Sequence, residues 1–225
     1  EYQNNGYLFS QVNAVETRVE DESITVEIRI REDEKARIKK VTVTGNDKTN
    51  DHVIFRELRV KPGDLFSRRE IIRSIREIGQ LGFFDQNVTP DVVPNYQDKT
   101  TDINFNVIEK GGSQIELQGG YGGGSFIGTL GLSFNNFSIK NIFNKAAYKP
   151  LPTGDGQKLA LRLQTSRTFS TYSFSFTEPW YGGKKPKSLS FSIYQSNQFQ
   201  INPQTYDVDK DRKLGITGAS IGLGQ

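Results

Sequence analysis

The sequence has no cysteine, a single histidine and a single tryptophan in 225 residues. Without cysteine there is no disulfide framework, no thiolate zinc cluster and no thiol nucleophile. The lone His52 excludes most multi-histidine metal sites and argues against a histidine-based triad. No stretch approaches the roughly 18 uninterrupted apolar residues that a spanning helix needs. What is present is unusual: 22 glycines and 25 aromatics, of which 15 are Phe and 9 Tyr, in a chain of net charge +3. That profile is too structured for disorder, and the length allows one large domain or two small ones with a real core. The chain opens at Glu1 with neither an initiator methionine nor a signal-peptide pattern, so a cut N-terminus is expected.

Dividing the chain at Gly111 separates two chemistries. Residues 1–111 hold 17 Lys/Arg and 20 Asp/Glu with 6 glycines and 9 aromatics; residues 112–225 hold 12 and 6, with 16 glycines and 16 aromatics. The first half has the charge of a water-exposed domain, whereas the second faces something less polar. The second half is net positive, but Lys184, Lys185, Lys187, Lys210 and Lys213 fall in expected turns. A scattered solvated rim explains them better than a phosphate-binding stripe, so no nucleic acid is expected.

The first half reads as α+β. Ile24, Val26, Ile28 and Ile30 alternate with polar residues, predicting a strand with one buried and one wet face. A second strand is expected at 37–44, closed by Gly45-Asn46, and a short helix at 51–58. Ser67 and Glu70 have capping-box spacing, and Ile71, Ile72, Ile75 and Ile78 follow as a helical stripe. Strands are expected at 87–97 and 100–110, with Ile103, Phe105 and Val107 inward. The opening twelve residues parallel Glu77 through Val88 at an offset of 76, and a strand pair follows each copy.

That β-α-α-β-β order, with Gly45-Asn46, then Gly63 and Phe66, then Leu81-Gly82-Phe83-Phe84, resembles a POTRA domain. Tandem copies ahead of glycine-rich strands resemble the BamA family of outer-membrane protein assembly factors. Ser175-Phe176-Thr177-Glu178-Pro179-Trp180-Tyr181 is similar to a strand end of those barrels. The expected domains are residues 1–33 as the C-terminal part of one POTRA domain, 34–111 as a complete one, and 112–225 as the first six or so strands of an incomplete membrane barrel.

The second half supports this independently. Ile115, Leu117, Gly119 and Tyr121 alternate with Gln114, Glu116, Gln118 and Gly120. The same pattern recurs at 126–135, 159–164, 172–177 and 189–194, and more weakly at 214–224. Segments of about ten residues, apolar on one face and small or polar on the other, mark a membrane β-barrel. A soluble β-sandwich also alternates, but glycine and serine on the polar face and aromatics at strand ends (Trp180, Tyr181, Phe199) favour the barrel. Counting crossings puts turns 122–125, 166–170 and 199–213 outside, and 137–157 and 182–187 on the periplasmic side. The long 137–157 segment, with Lys140, Lys145 and Lys149, departs from the usual short periplasmic turn and is read as a longer loop.

No constellation supports catalysis, and neither cofactor nor metal is expected. Asp98, Asp102 and Glu109 read as solvated strand-edge carboxylates, and His52 as a surface residue. Asp207, Asp209 and Asp211 loosely resemble an oxygen-rich calcium site, but they lack the glycine and terminal Glu and are interspersed with Lys210 and Arg212.

The resemblance implies insertion of β-barrel proteins into the bacterial outer membrane, with residues 1–111 in the periplasm. It also implies a lateral seam on the first barrel strand. The residues placed there are Gln114, Ile115, Glu116, Leu117, Gln118, Gly119, Gly120 and Tyr121. Val88, Val92 and Val93 mark a weaker docking edge, blunted by Pro90 and Pro94. The implied partners are unfolded outer-membrane proteins, outer-membrane lipid and periplasm-facing accessory subunits. The alternatives are a polypeptide-translocating pore of the same superfamily and a soluble β-rich binding protein.

Overall fold

A computed structural model describes residues 1–20, 23–122, 124–148, 151–183, 185–202, 204–205 and 207–224. The chain divides into two compact units, one of residues 1–47 and 54–109, the other of residues 48–53 and 110–225.

The first unit opens with a 3-10 turn, Tyr2–Asn5, and an antiparallel ribbon of β1 (Gln11–Glu20) and β2 (Ser23–Arg31). The alternation of β2 forms as expected, but its apolar face is not buried: Ile24 and Ile28 are about 60% exposed. A two-stranded ribbon has no opposite layer of its own, and among the described residues no helix covers this one.

The rest of the unit is a three-stranded sheet in the order β3 (Arg37–Thr44), β5 (Thr100–Asn106), β4 (Thr89–Asn95). Strand β5 is central, parallel to β3 and antiparallel to β4. Ile103, Phe105 and Val107 are buried as expected, and Ile38 and Val41 join them from β3. Their odd spacing of three is resolved by a bulge between Ile38 and Lys40, which restores the inward phase. Both β4 and β5 are shorter than the spans expected at 87–97 and 100–110. Gly45 ends β3 at φ 91°, and a Cβ there would lie 2.0 Å from the Val107 carbonyl oxygen, so only glycine fits.

Two helices follow β3: α1 (Asp51–Phe55) and α2 (Arg68–Gln80). The Ser67 hydroxyl accepts from the Glu70 N–H at 3.5 Å, so half of the capping box forms; the Glu70 carboxylate turns to Arg73 at 2.9 Å instead. The buried stripe of α2 is Ile71, Ser74 and Ile78, with Ile75 at its margin. Ile72 lies off it and is half exposed, correcting its place in the stripe. Ser74 is tolerated there because its hydroxyl donates to the Glu70 carbonyl (2.8 Å) and accepts the Arg59 N–H (2.9 Å). From the turn between β4 and β5, a hydrogen bond from Lys99 (3.0 Å) holds the exposed Asp33 carboxyl below its ordinary pKa.

The second unit is a six-stranded antiparallel sheet in strict sequence order: β6 (Ser113–Gly122), β7 (Ser125–Phe137), β8 (Gln157–Ser166), β9 (Phe169–Glu178), β10 (Ser188–Ile201) and β11 (Val208–Gly224). The segment expected to be weakest, 214–224, is part of the longest strand. The loop expected at 199–213 shrinks, because Gln200 and Ile201 pair with Asp209 and Val208. Strands β6 and β11 are the two ends of the sheet. No helix among the described residues is long and apolar enough to cross a membrane.

Candidate functional site

The register makes each face of the sheet continuous. One row runs Ile115, Leu132, Leu161, Phe174, Ile193, Ala219, each residue opposite the next across a strand pair. A parallel row runs Phe134, Leu159, Phe176, Phe191, Ile221. The other face carries Gln114, Ser133, Ala160, Ser175, Ser192 and Ser220 in register. Its hydroxyls pair across strands, Ser192 with Ser220 at 2.7 Å, Thr171 with Ser196 at 3.0 Å and Thr177 with Ser190 at 3.1 Å. One face is mainly apolar over six strands, with Gln195 and Thr217 among its polar exceptions; the other is mainly small or polar, with Arg162, Tyr194 and, on β11, Leu214 and Ile216 among it.

The expected seam residues all lie on β6, paired on one side only, by β7, and every residue of the strand is exposed. Ile115 and Leu117 lie opposite Leu132 and Leu130, and Tyr121 opposite Phe126. The glycines differ in their surroundings. A Cβ on Gly119 would meet the Phe126 ring at 2.9 Å, whereas Gly120 and Gly122 have nothing within 4 Å. Gly119 therefore makes room for a ring, and the other two leave space that nothing fills.

On the three-stranded sheet β4 is an edge, with Pro90 and Pro94 within it. Val93 is exposed and Val92 half-buried opposite Ile103. Val88 lies ahead of the strand and is buried in the core, away from the edge.

The segment between β7 and β8 is built in a way the sequence reading missed. It carries two 3-10 turns, Lys140–Phe143 and Lys145–Ala147, held by a buried polar knot. The Asp155 carboxylate accepts from the Ser138 hydroxyl (2.7 Å) and the Asn50 amide (3.0 Å), and His52 Nε2 lies 3.5 Å away. Asn136 accepts the Gly156 N–H (2.9 Å) and donates to Thr49 (2.8 Å). Gln157 accepts the Ile139 N–H and donates to Glu178, which also accepts the Trp180 N–H. Gly154 sits at φ 133°, with Asn50 against the position of a Cβ. The local signal was Pro152-Thr153-Gly154-Asp155-Gly156 facing Asn136 and Ser138, polar residues where a flexible loop needs none.

Asp209 accepts the N–H groups of Asp211 and Arg212, and Asp207 faces Arg167 at 3.6 Å. Asp209 bonds within the irregularity of β11 where its pairing with β10 skips from Lys213 to Asp209, and the described residues contain no cluster able to hold a metal ion.

Comparison with known proteins agrees with this geometry. Residues 36–110 match the POTRA family, described as a surface antigen variable number repeat, and residues 153–225 match the Omp85 superfamily domain. The outer membrane protein assembly factor BamA of Nitratidesulfovibrio vulgaris is 32% identical over 67% of the chain, and that of Neisseria meningitidis 28% over 84%. The chain spans 18% and 22% of their lengths. The crystal structure of Haemophilus ducreyi BamA lacking POTRA domains 1–3 superposes on 99% of the chain and 38% of its own, with TM-score 0.76 at 21% identity, which shows a common fold. The chain thus carries a POTRA domain followed by an Omp85 superfamily domain, the arrangement of a BamA-like protein.

Proposed function

We propose that this chain acts in the insertion of β-barrel proteins into a bacterial outer membrane, with residues 1–111 in the periplasm and β6–β11 crossing the bilayer. In this reading residues 1–33 end one POTRA domain, 34–111 form another, and 112–225 open the barrel. The observation that carries it is the match of residues 36–110 to the POTRA family and of 153–225 to the Omp85 superfamily domain, on a chain whose six-stranded sheet has a largely apolar face and begins with the glycine-rich β6. An edge strand presents a row of N–H and C=O groups able to template a further strand. Main-chain pairing reads backbone and pleat, so it serves many substrates, and it needs no covalent chemistry or cofactor. Ile115, Leu117 and Tyr121 keep an incoming strand in phase with the lipid face, because a one-residue slip would turn every apolar side chain inward. The partners are unfolded outer-membrane proteins, membrane lipid and periplasm-facing accessory subunits.

The test is a reversible lock. In the full-length protein, a cysteine pair joining residue 118 or 120 to the last barrel strand is expected to abolish substrate insertion, and reductant to restore it. Insertion at full rate with the lock closed overturns the seam assignment.

A further inference from the structure

We propose that the turn pair Lys140–Phe143 and Lys145–Ala147 is a membrane-interface anchor that seats Phe143 and Ile142 among anionic phospholipid headgroups beside the barrel. This rests on the reading that β6–β11 cross a bilayer. Phe143 is 97% exposed, and Ile139, Ile142 and Tyr148 are also exposed. Water alone gives no reason to display four large apolar side chains on one short segment.

The segment is also rigid. The Ser138 hydroxyl accepts the Asn141 N–H at 3.2 Å, Asn144 caps the second turn, Asn141 donates to the Thr153 carbonyl at 2.9 Å, and the Tyr148 hydroxyl ties back to the Ile142 carbonyl at 2.6 Å. The polar knot around Asp155 holds its base. The backbone that carries Phe143 is therefore already ordered, so only its side-chain freedom is left to lose on insertion.

Charge selects the occupant. Residues 137–154 contain Lys140, Lys145 and Lys149 and no Asp or Glu; the first acid, Asp155, is buried and hydrogen-bonded. An apolar tip flanked by the exposed Lys140 and Lys145 matches an anionic lipid surface, with rings and alkyl chains in the headgroup layer and ammonium groups at phosphates. Position agrees. The segment leaves β7 at Phe137, which is buried with its ring 6.3 Å from that of Phe176 on the apolar face, so the base of the segment is packed onto the surface assigned to lipid. It lies at the sheet end where β6 begins, since the Asn135 N–H donates to the Gly112 carbonyl.

The full-length protein, with Ala146→Cys as its only cysteine, is labelled with an environment-sensitive fluorophore. It is refolded into phosphatidylethanolamine vesicles containing phosphatidylglycerol. Quenching by a spin label attached high on the lipid chain is expected. Phe143→Ser should shift the local insertion equilibrium roughly tenfold or more toward water. Lys140→Gln and Lys145→Gln should each shift it about fivefold, and only when anionic lipid is present. A second probe at Phe174→Cys reports the membrane reading itself through quenching deep in the bilayer. Quenching at 174 without quenching at 146 overturns the anchor and leaves the barrel intact. Loss of both overturns the anchor together with the membrane reading. A probe at 146 shielded from aqueous quencher but dark to lipid quencher indicates a protein partner and also overturns the anchor.

Discussion

Gly119 and Gly120 are neighbours with different physical duties. Gly119 lies under the Phe126 ring, an arrangement in which an aromatic side chain covers the backbone that a glycine leaves bare. Gly120 borders open space, so its lack of a side chain is not demanded by the packing around it; on the seam reading it keeps the strand weak. Alanine at 120 is expected to stabilise the strand by about 0.5–1 kcal/mol through reduced chain entropy. On the seam reading it also slows substrate insertion, because a stiffer β6 opens less readily. Alanine at 119 must push Phe126 aside, so it is expected to lower the unfolding midpoint in urea. Paired measurements of urea unfolding in vesicles and of insertion rate separate the two; identical behaviour of both variants would count against the distinction. None of this was legible in the sequence, where five glycines in a row of six look equivalent.

At the scale of elements, alternation announced every strand of the six-stranded sheet and the inward set of β5, because a period of two survives wherever one face is apolar. It failed where parity is set by the partner: the bulge beside Ile38 and the outward Ile72 depend on what packs against them. It failed again at the polar knot, since Asn50 and Asp155 are 105 positions apart and no local pattern joins them. The β4 edge shows how an element limits its own reactivity. Pro90 and Pro94 each remove a donor, and Val88 is committed to the core. Adding an unfolded barrel peptide to the full-length protein should therefore leave amides 88–97 weakly protected in hydrogen exchange. Strong protection would show that β4 captures strands despite its prolines.

The whole molecule stands on a contrast between the two faces of one sheet, and that contrast can be measured without reference to substrates. Leu161 lies between Leu132 and Phe174 on the apolar face, and Ser175 between Ala160 and Ser192 on the polar one. If lipid covers the first face, Leu161→Arg forces a guanidinium into hydrocarbon, at an expected cost of about 2–4 kcal/mol near the midplane. Ser175→Arg faces a hydrated lumen, where the charge keeps its water and only local crowding opposes it, so its effect should be much smaller. Heat-modifiable gel mobility and urea unfolding in vesicles read both variants on one scale. A soluble sandwich would give a different answer, because a sheet buried against a second sheet on its apolar face and wet on the other is sensitive to Leu161→Arg in water as much as in lipid. The decisive comparison is thus the solvent: the penalty for Leu161→Arg should appear when the full-length protein is folded into a bilayer, and replacing the bilayer with thinner lipids that bring position 161 toward the headgroups should shrink it. A penalty indifferent to bilayer thickness, or equal damage from the two substitutions, would place this sheet against protein instead of lipid.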